Sequence, residues 1–294
     1  MAGFRLCAFA DEADSRLSGQ IEALKANGVR FIELRGVNGK SVADLTDGEA
    51  REARSMLEGE GIGIAQMGSP YGKYPIREPF APHRDAFKRG LELCDLLGTR
   101  KVRMFSFFMA EGEDPSAARG EVLDRLAEML ELAESAGVRL CHENERGIYG
   151  DVTGRCEDLM GAYGDRMGFV FDPANFLLCG VRIKDAFARL RGFVDYLHLK
   201  DAEVAGGAIV PCGEGDGEIP WLIRELSAAG GEWTLSVEPH LTVFDGLSGL
   251  QSEGLTHKFA YPSKRAAFDA AVSALKGVLS GQNLTEGEAG VWRP

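Results

Sequence analysis

The sequence has no Cys-x-x-Cys pair, no cluster of lysines and arginines, and no apolar run that approaches a membrane span. Each absence removes a class of function. Its six cysteines (Cys7, Cys94, Cys141, Cys156, Cys179, Cys212) are scattered, as buried or incidental thiols in a reducing cytoplasm would be, and do not form a disulfide framework or zinc ribbon. Lys and Arg number 33 against 45 Asp and Glu, a formal net charge of −12, so no basic face is available for a nucleic acid or an anionic membrane. The opening Met1-Ala2-Gly3-Phe4-Arg5-Leu6 carries neither a long hydrophobic region nor a cleavage pattern, and the expected location is cytoplasmic. What remains is 45% hydrophobic and 27% charged over 294 residues, the composition of a globular protein with a sizeable core.

The apolar pattern alternates short β-like runs with longer amphipathic ones. Strands are predicted at Phe4–Ala10, Phe31–Arg35, Ile62–Met67, Lys101–Phe108, Val138–Glu143, Met167–Asp172, Val194–Lys200 and Trp233–Glu238. Helices are predicted between them, and a last one at Ser263–Leu279. Eight strand-then-helix units, spaced about 30 to 40 residues apart, predict a single-domain (β/α)8 TIM barrel over residues 1–280, with 281–294 a frayed tail. The alternative, an open doubly wound sheet, lacks the glycine fingerprint it needs after the first strand. The longest connection, from His240 to about Pro262, is of a length usually given to lids or interfaces.

Side-chain parity locates the chemistry. A barrel strand sends every second residue inward. Glu33 and Arg35 share one face of the second strand and Ile32 and Leu34 the other; Tyr196, His198 and Lys200 oppose Leu197 and Leu199; Thr234, Ser236 and Glu238 oppose Leu235 and Val237. Strands five to eight thus end in Glu143, Asp172, His198 and Glu238 on one inward rim. Three carboxylates and an imidazole suit one divalent ion, with Mn²⁺ expected and Zn²⁺, Mg²⁺ or Co²⁺ also suited to the donors. Such an ion would polarise a carbonyl and stabilise an enediolate, while Glu143 and Glu238 serve as catalytic base and acid. Each residue has a plainer reading: Asp172-Pro173-Ala174-Asn175 is also a good helix start, and a lone His198 could be a hydrogen-bonded core residue. Four at successive strand ends favour a metal site. His142 has the opposite parity from Glu143 and is expected to face the helices, with Asn144 orienting a ligand.

In these residues the sequence resembles the xylose isomerase-like barrels of the sugar phosphate isomerase/epimerase superfamily. The motifs are Glu143-Asn144, Phe171-Asp172-Pro173-Ala174-Asn175, His198-Leu199-Lys200-Asp201, Gly213-Glu214-Gly215 and Ser236-Val237-Glu238-Pro239, with Phe9-Ala10-Asp11-Glu12 and Phe31-Ile32-Glu33-Leu34-Arg35 near the start. The resemblance implies a metal on Glu143, Asp172, His198 and Glu238, and a sugar or sugar phosphate as the small-molecule substrate. Lys200, Asn175, Glu33, Arg35, Lys73 and Glu214 are the candidate substrate contacts. One departure stands out: ketose 3-epimerases usually carry a histidine where this chain has Asn175, and an arginine soon after the strand-seven histidine, where this chain has Lys200.

The expected activity is therefore a metal-dependent isomerase or epimerase of carbohydrate metabolism. The same site could instead dehydrate a keto-polyol of the inosose type. An endonuclease IV-like nuclease is disfavoured by the five histidines and the negative charge, and a non-catalytic sugar-binding barrel by the paired carboxylates. A homo-oligomer is compatible with the long loop and the outer helices.

Overall fold

The structure is a computed structural model that describes residues 2–242, 256–287 and 290–294. Eight parallel strands form its centre: β1 (Ala2–Ala8), β2 (Phe31–Leu34), β3 (Gly63–Gly68), β4 (Lys101–Met104), β5 (Arg139–Glu143), β6 (Gly168–Phe171), β7 (Val194–Leu199) and β8 (Gly231–Val237). Each pairs with the next, and β8 returns to β1 over seven residue pairs, from Ala2↔Gly231 to Ala8↔Val237. The sheet is closed, so the barrel reading holds and the open sheet is excluded.

The surrounding helices are α1 (Leu17–Ala26), α2 (Asp47–Gly59), α3 (Phe80–Leu97), α4 (Pro115–Ser135), α5 (Thr153–Tyr163), α6 (Pro173–Leu178), α7 (Ile183–Leu190), α8 (Ile219–Ala229) and α9 (Lys264–Gly281). Their ends follow local chemistry. Thr46 and Glu49 form a reciprocal capping box at the start of α2, and Gly98, at φ 73°, ends α3 in the left-handed conformation that a side chain disfavours. None of the described helices is long and apolar enough to cross a membrane.

The aliphatic core lies between strands and helices, where Ile32, Leu34, Val102, Leu140, Leu197 and Leu235 are buried against the helical ring. The barrel interior is different. Cys7, Glu33, Gln66, Arg103, Tyr196 and Ser236 are all buried there, a polar column that runs up to the mouth. At the closed end Asp195 joins Lys101 (2.9 Å) to Arg139 (2.5 Å).

Some short strands among the described residues lie outside the repeating pattern. Asp201–Ala202, Ala208–Val210 and Thr256–His257 form a small sheet after β7 and β8. The long loop expected after β8 falls largely on residues 243–255, outside the described residues. The tail expected to fray instead carries a strand, Val291–Arg293, antiparallel to β1 at Phe4 and Arg5, and Trp292 is buried. It fills an edge that β2 leaves open, because β2 meets β1 only at Cys7 and Ala8.

Candidate metal centre

Strand register brings the four rim residues to one level. Ser236 lies opposite His198 between β8 and β7, and Glu143 lies opposite Val170 between β5 and β6, two residues before Asp172. Ligand atoms of Glu143, Asp172, His198 and Glu238 all fall within 4.8 Å of one another, and all four residues are buried. His198 Nδ1 is 2.9 Å from Glu143 Oε1 and 3.8 Å from Glu238 Oε2.

Asp172 satisfies both of its sequence readings at once. Its Oδ1 caps α6 by accepting from the Asn175 amide (2.9 Å), while Oδ2 faces Lys200 Nζ at 3.0 Å. Asn144 ties the two strand ends together: its side chain donates to Asp172 O (2.8 Å) and accepts from Asp172 N (3.0 Å).

Each glutamate has one oxygen in the cluster and the other held by a buried arginine. Arg103 Nη1 donates to Glu143 Oε2 (3.1 Å), and Arg35 Nη1 donates to Glu238 Oε1 (3.1 Å). Arg35 also binds Asp11 and Glu12 (3.0 Å from Nη2 to Glu12 Oε1) and stacks on Phe9, its guanidinium carbon 4.4 Å from the ring centre. Burial pushes the Glu143 carboxyl up, but His198 and Arg103 outweigh it and hold the group at about 2. Glu238 is likewise held well below the usual range against its burial, by Lys200, His240, His198 and Arg35. Burial would lower the His198 imidazole, yet Glu143 and Glu33 raise it to about 10. Asp172 is pushed up by burial and by Glu143 and Glu238, with Lys200 opposing.

The donor set fits a divalent cation. Three carboxylates converge with one imidazole in a space closed to solvent, and such crowding of like charge is what an oxygen-rich metal site resolves. Glu12, Glu238 and His240 form a second close group, but the Arg35 guanidinium already lies between Glu12 and Glu238.

The remaining candidate residues separate by depth. Lys200 belongs to the cluster, with Nζ 3.0 Å from both Asp172 Oδ2 and Glu238 Oε2. Asn175 Nδ2 donates to Asn144 O (2.9 Å) and Glu143 Oε1 (3.3 Å), so it is committed to the ligand framework. Lys73 pairs with Glu145 (2.9 Å) from the loop after β3. Glu33 is not at the mouth: it lies under His198, whose Nε2 is 3.2 Å from both of its oxygens, and Gln66 and Tyr196 also bind it. Glu33 and Arg35 share a face, as expected, but pair with different partners and not with each other. Glu214 is exposed on a loop that Asp201 holds through the amides of Gly213, Gly215 and Gly217. His142 faces outward, stacked near Phe169 and 2.9 Å from Ser106 Oγ.

Arg103 escaped the sequence reading; Glu12 was noticed only as part of a motif, and His240 shares the parity of Glu238 but follows Pro239, which left its direction open. Arg103 carried a usable signal, since Lys101 and Arg103 oppose Val102 and Met104 in the same alternation that exposed His198. Glu12 closes a short 3-10 helix, Ala10–Glu12, and His240 lies on the loop after β8, so strand parity applies to neither. The His240 amide donates to Glu12 Oε2 (2.6 Å) from a left-handed backbone, φ 44°.

Residues 21–253 match the xylose isomerase-like TIM barrel family. The chain belongs to that family. Among solved structures this xylose isomerase-like barrel is similar to an L-ribulose 3-epimerase, at 19% identity and TM-score 0.72, covering 96% of each chain. It is similar to the IOLI protein with a bound zinc atom, at 17% identity and TM-score 0.72, covering 94% of this chain and 98% of that one. It also resembles the probable 3-DHS dehydratase AsbF of Bacillus anthracis, at 16% identity and TM-score 0.70, covering 94% and 99%. At these identities the likeness carries the fold alone. A comparison with curated proteins finds no match.

Proposed function

We propose that this protein is a sugar isomerase or epimerase that moves a proton at a carbon next to a carbonyl, and that it depends on a divalent metal. The observation that carries the reading is the arrangement of its two glutamates. Glu143 and Glu238 approach His198 Nδ1 at 2.9 and 3.8 Å, each with its second oxygen fixed by an arginine of its own.

A divalent ion held by Glu143, Asp172, His198 and Glu238 would polarise the substrate carbonyl and offset the charge that builds on its oxygen. The chain's own groups do the rest. Both glutamates are ionised at neutral pH and can accept a proton from carbon; the one that has taken it, or its partner, returns it. Arg35 and Arg103 prevent either carboxylate from turning away, which keeps the proton's path short. Lys200 can donate a hydrogen bond to a substrate hydroxyl or anionic oxygen. Burial of the whole cluster excludes the water that would compete for these bonds. Manganese is the proposed ion, and Lys73 and Glu214 are proposed as outer contacts on the two loops.

Dehydration of a keto-polyol is the second reading, favoured by Asn175. Its amide is spent on Glu143 and Asn144, so the position occupied by histidine in ketose 3-epimerases offers no proton carrier here. The two readings share the first step and are separated by product. Solvent-deuterium exchange into ketoses, ketose phosphates and inososes with added Mn²⁺ tests both. Exchange with an epimeric or isomeric product supports the first; exchange followed by a C=C or diketone product supports the second. No exchange in any substrate would sink both.

A further inference from the structure

Glu33 is a fully buried acidic side chain in the barrel interior, below the mouth. A charge so placed is costly unless it is fully paired, and an apolar side chain would fill the space more cheaply. Its surroundings are built around it. Gln66 Nε2 donates to Oε2 at 2.6 Å, and the Tyr196 hydroxyl donates to Oε1 at 3.0 Å. The Gln66 contact requires a bulge: β2 and β3 pair Ile32 with Ile64 and then Glu33 with Gln66, skipping Ala65. Without that extra residue Ala65 would lie opposite Glu33 and Gln66 would turn to the other face.

Both oxygens so fixed face one atom, His198 Nε2, at 3.2 Å each. Two oxygens held at equal distance from one nitrogen, by Gln66 and Tyr196, form the cradle of an N–H, so the geometry favours the hydrogen on Nε2. The other ring nitrogen, Nδ1, faces Glu143 and Glu238. The Phe9 ring stands edge-on to the imidazole, centres 5.1 Å apart, and Tyr196 flanks it at 5.5 Å, so the ring has little room to flip.

We propose that Glu33 is a positioning residue: it holds the Nε2 hydrogen of His198 and thereby makes Nδ1 the nitrogen that binds the divalent ion. The proposal rests on reading Glu143, Asp172, His198 and Glu238 as a metal site, but not on which reaction follows. Arg103 does not hold the Glu33 oxygens in place, because its hydrogen bonds go to Glu143 and to Gly68 O.

The test uses the full chain, stripped with chelator and reloaded with Zn²⁺ or Mn²⁺. In the Zn²⁺ protein, ¹⁵N–¹H correlation spectra of the histidine rings should show His198 protonated at Nε2 and metallated at Nδ1. Titration calorimetry with Mn²⁺ should show Glu33→Gln binding about 10- to 100-fold more weakly than the wild type, with Tyr196→Phe weaker by a smaller factor. A purely structural role would lower the melting temperature and leave both the affinity of the folded protein and the tautomer unchanged. That outcome, or a wild-type spectrum with Nε2 metallated, overturns the proposal. The wild-type spectrum decides the matter even if Glu33→Gln fails to fold. Metal uptake as expected without deuterium exchange would overturn the proposed reaction and leave Glu33 in its role. A wild type that takes up no divalent ion overturns both.

Discussion

Replacing Arg103 with methionine removes one charge from the barrel interior while keeping most of the volume. Arg103 is 2% exposed; its guanidinium binds Glu143 Oε2 and Gly68 O, each at 3.1 Å, and lies near the rings of Phe105 (4.9 Å) and Phe9 (5.2 Å). Methionine retains the packing against the rings and loses the ion pair. Breaking a buried pair by removing one partner costs about 3–5 kcal/mol, because the surviving charge stays buried. For 294 residues the unfolding entropy is about 0.6 kcal/mol per kelvin, so a loss of about 4 kcal/mol lowers the melting temperature by about 6 °C. Circular dichroism melts of chelator-treated protein measure this. Glu143→Gln and the double variant complete a double-mutant cycle, in which the double loses about 2–3 kcal/mol less than the sum of the singles. Additive losses, or a shift under about 1 °C for Arg103→Met, would refute the claim that this arginine exists to hold Glu143 ionised and in place.

Three further outcomes are expected. Glu238→Gln should retain Mn²⁺ by calorimetry yet lose solvent-deuterium exchange by about 10²-fold or more, and near-normal exchange would contradict the two-glutamate reading. Gly72 has φ 88°, and a Cβ there would stand 2.0 Å from Phe105 O; Gly72→Ala should displace the loop that carries Lys73, seen as a raised KM and faster proteolysis at residues 70–76. His83 accepts from Gly72 N at 3.0 Å, and burial, helped by Arg125, lowers it from 6.5 to about 4. Below pH 6.5 the unfolded chain takes up a proton that folded His83 refuses, so its share of stability is complete above 6.5 and falls away toward pH 4. The total is roughly 3 kcal/mol. Urea titrations should show this slope in the wild type and a flatter one in His83→Gln, which keeps an acceptor for the Gly72 amide. Equal slopes would count against a neutral His83.

The barrel was legible because each strand carries its own alternation and each helix its own period. Parity then selected the faces of His198, Lys200, Glu238, Glu33 and Arg35. It could not give depth. Glu33 and Arg35 share a face, yet one lies under His198 and the other reaches Glu238, and which partner each meets depends on how far β2 has slid against the other strands. Nor does one strand's pattern reveal a bulge, since the skipped Ala65 is a property of two strands together. Glu12 and His240 meet outside the strands, the Glu12 carboxylate accepting from the His240 amide, where no periodicity applies. The closing residues were misjudged because glycine and glutamate around them hide a short strand whose partner lies at the other end of the sequence.

That partnership has a consequence for how the protein is made. β1 leaves the ribosome well before most of its neighbours, because β8 and Val291–Arg293 lie far along the sequence from it. β8 pairs along its whole length, Val291–Arg293 covers Phe4 and Arg5, and β2 meets only Cys7 and Ala8. At about 5–20 residues per second, the apolar strand waits roughly 15–60 s for the segments that cover it. Through that interval it is an unpaired edge, open to other nascent chains and to chaperones. Barrel closure thus waits for β8, and a substitution that disturbs Val291–Arg293 should show first as a loss of soluble yield rather than of activity per folded molecule.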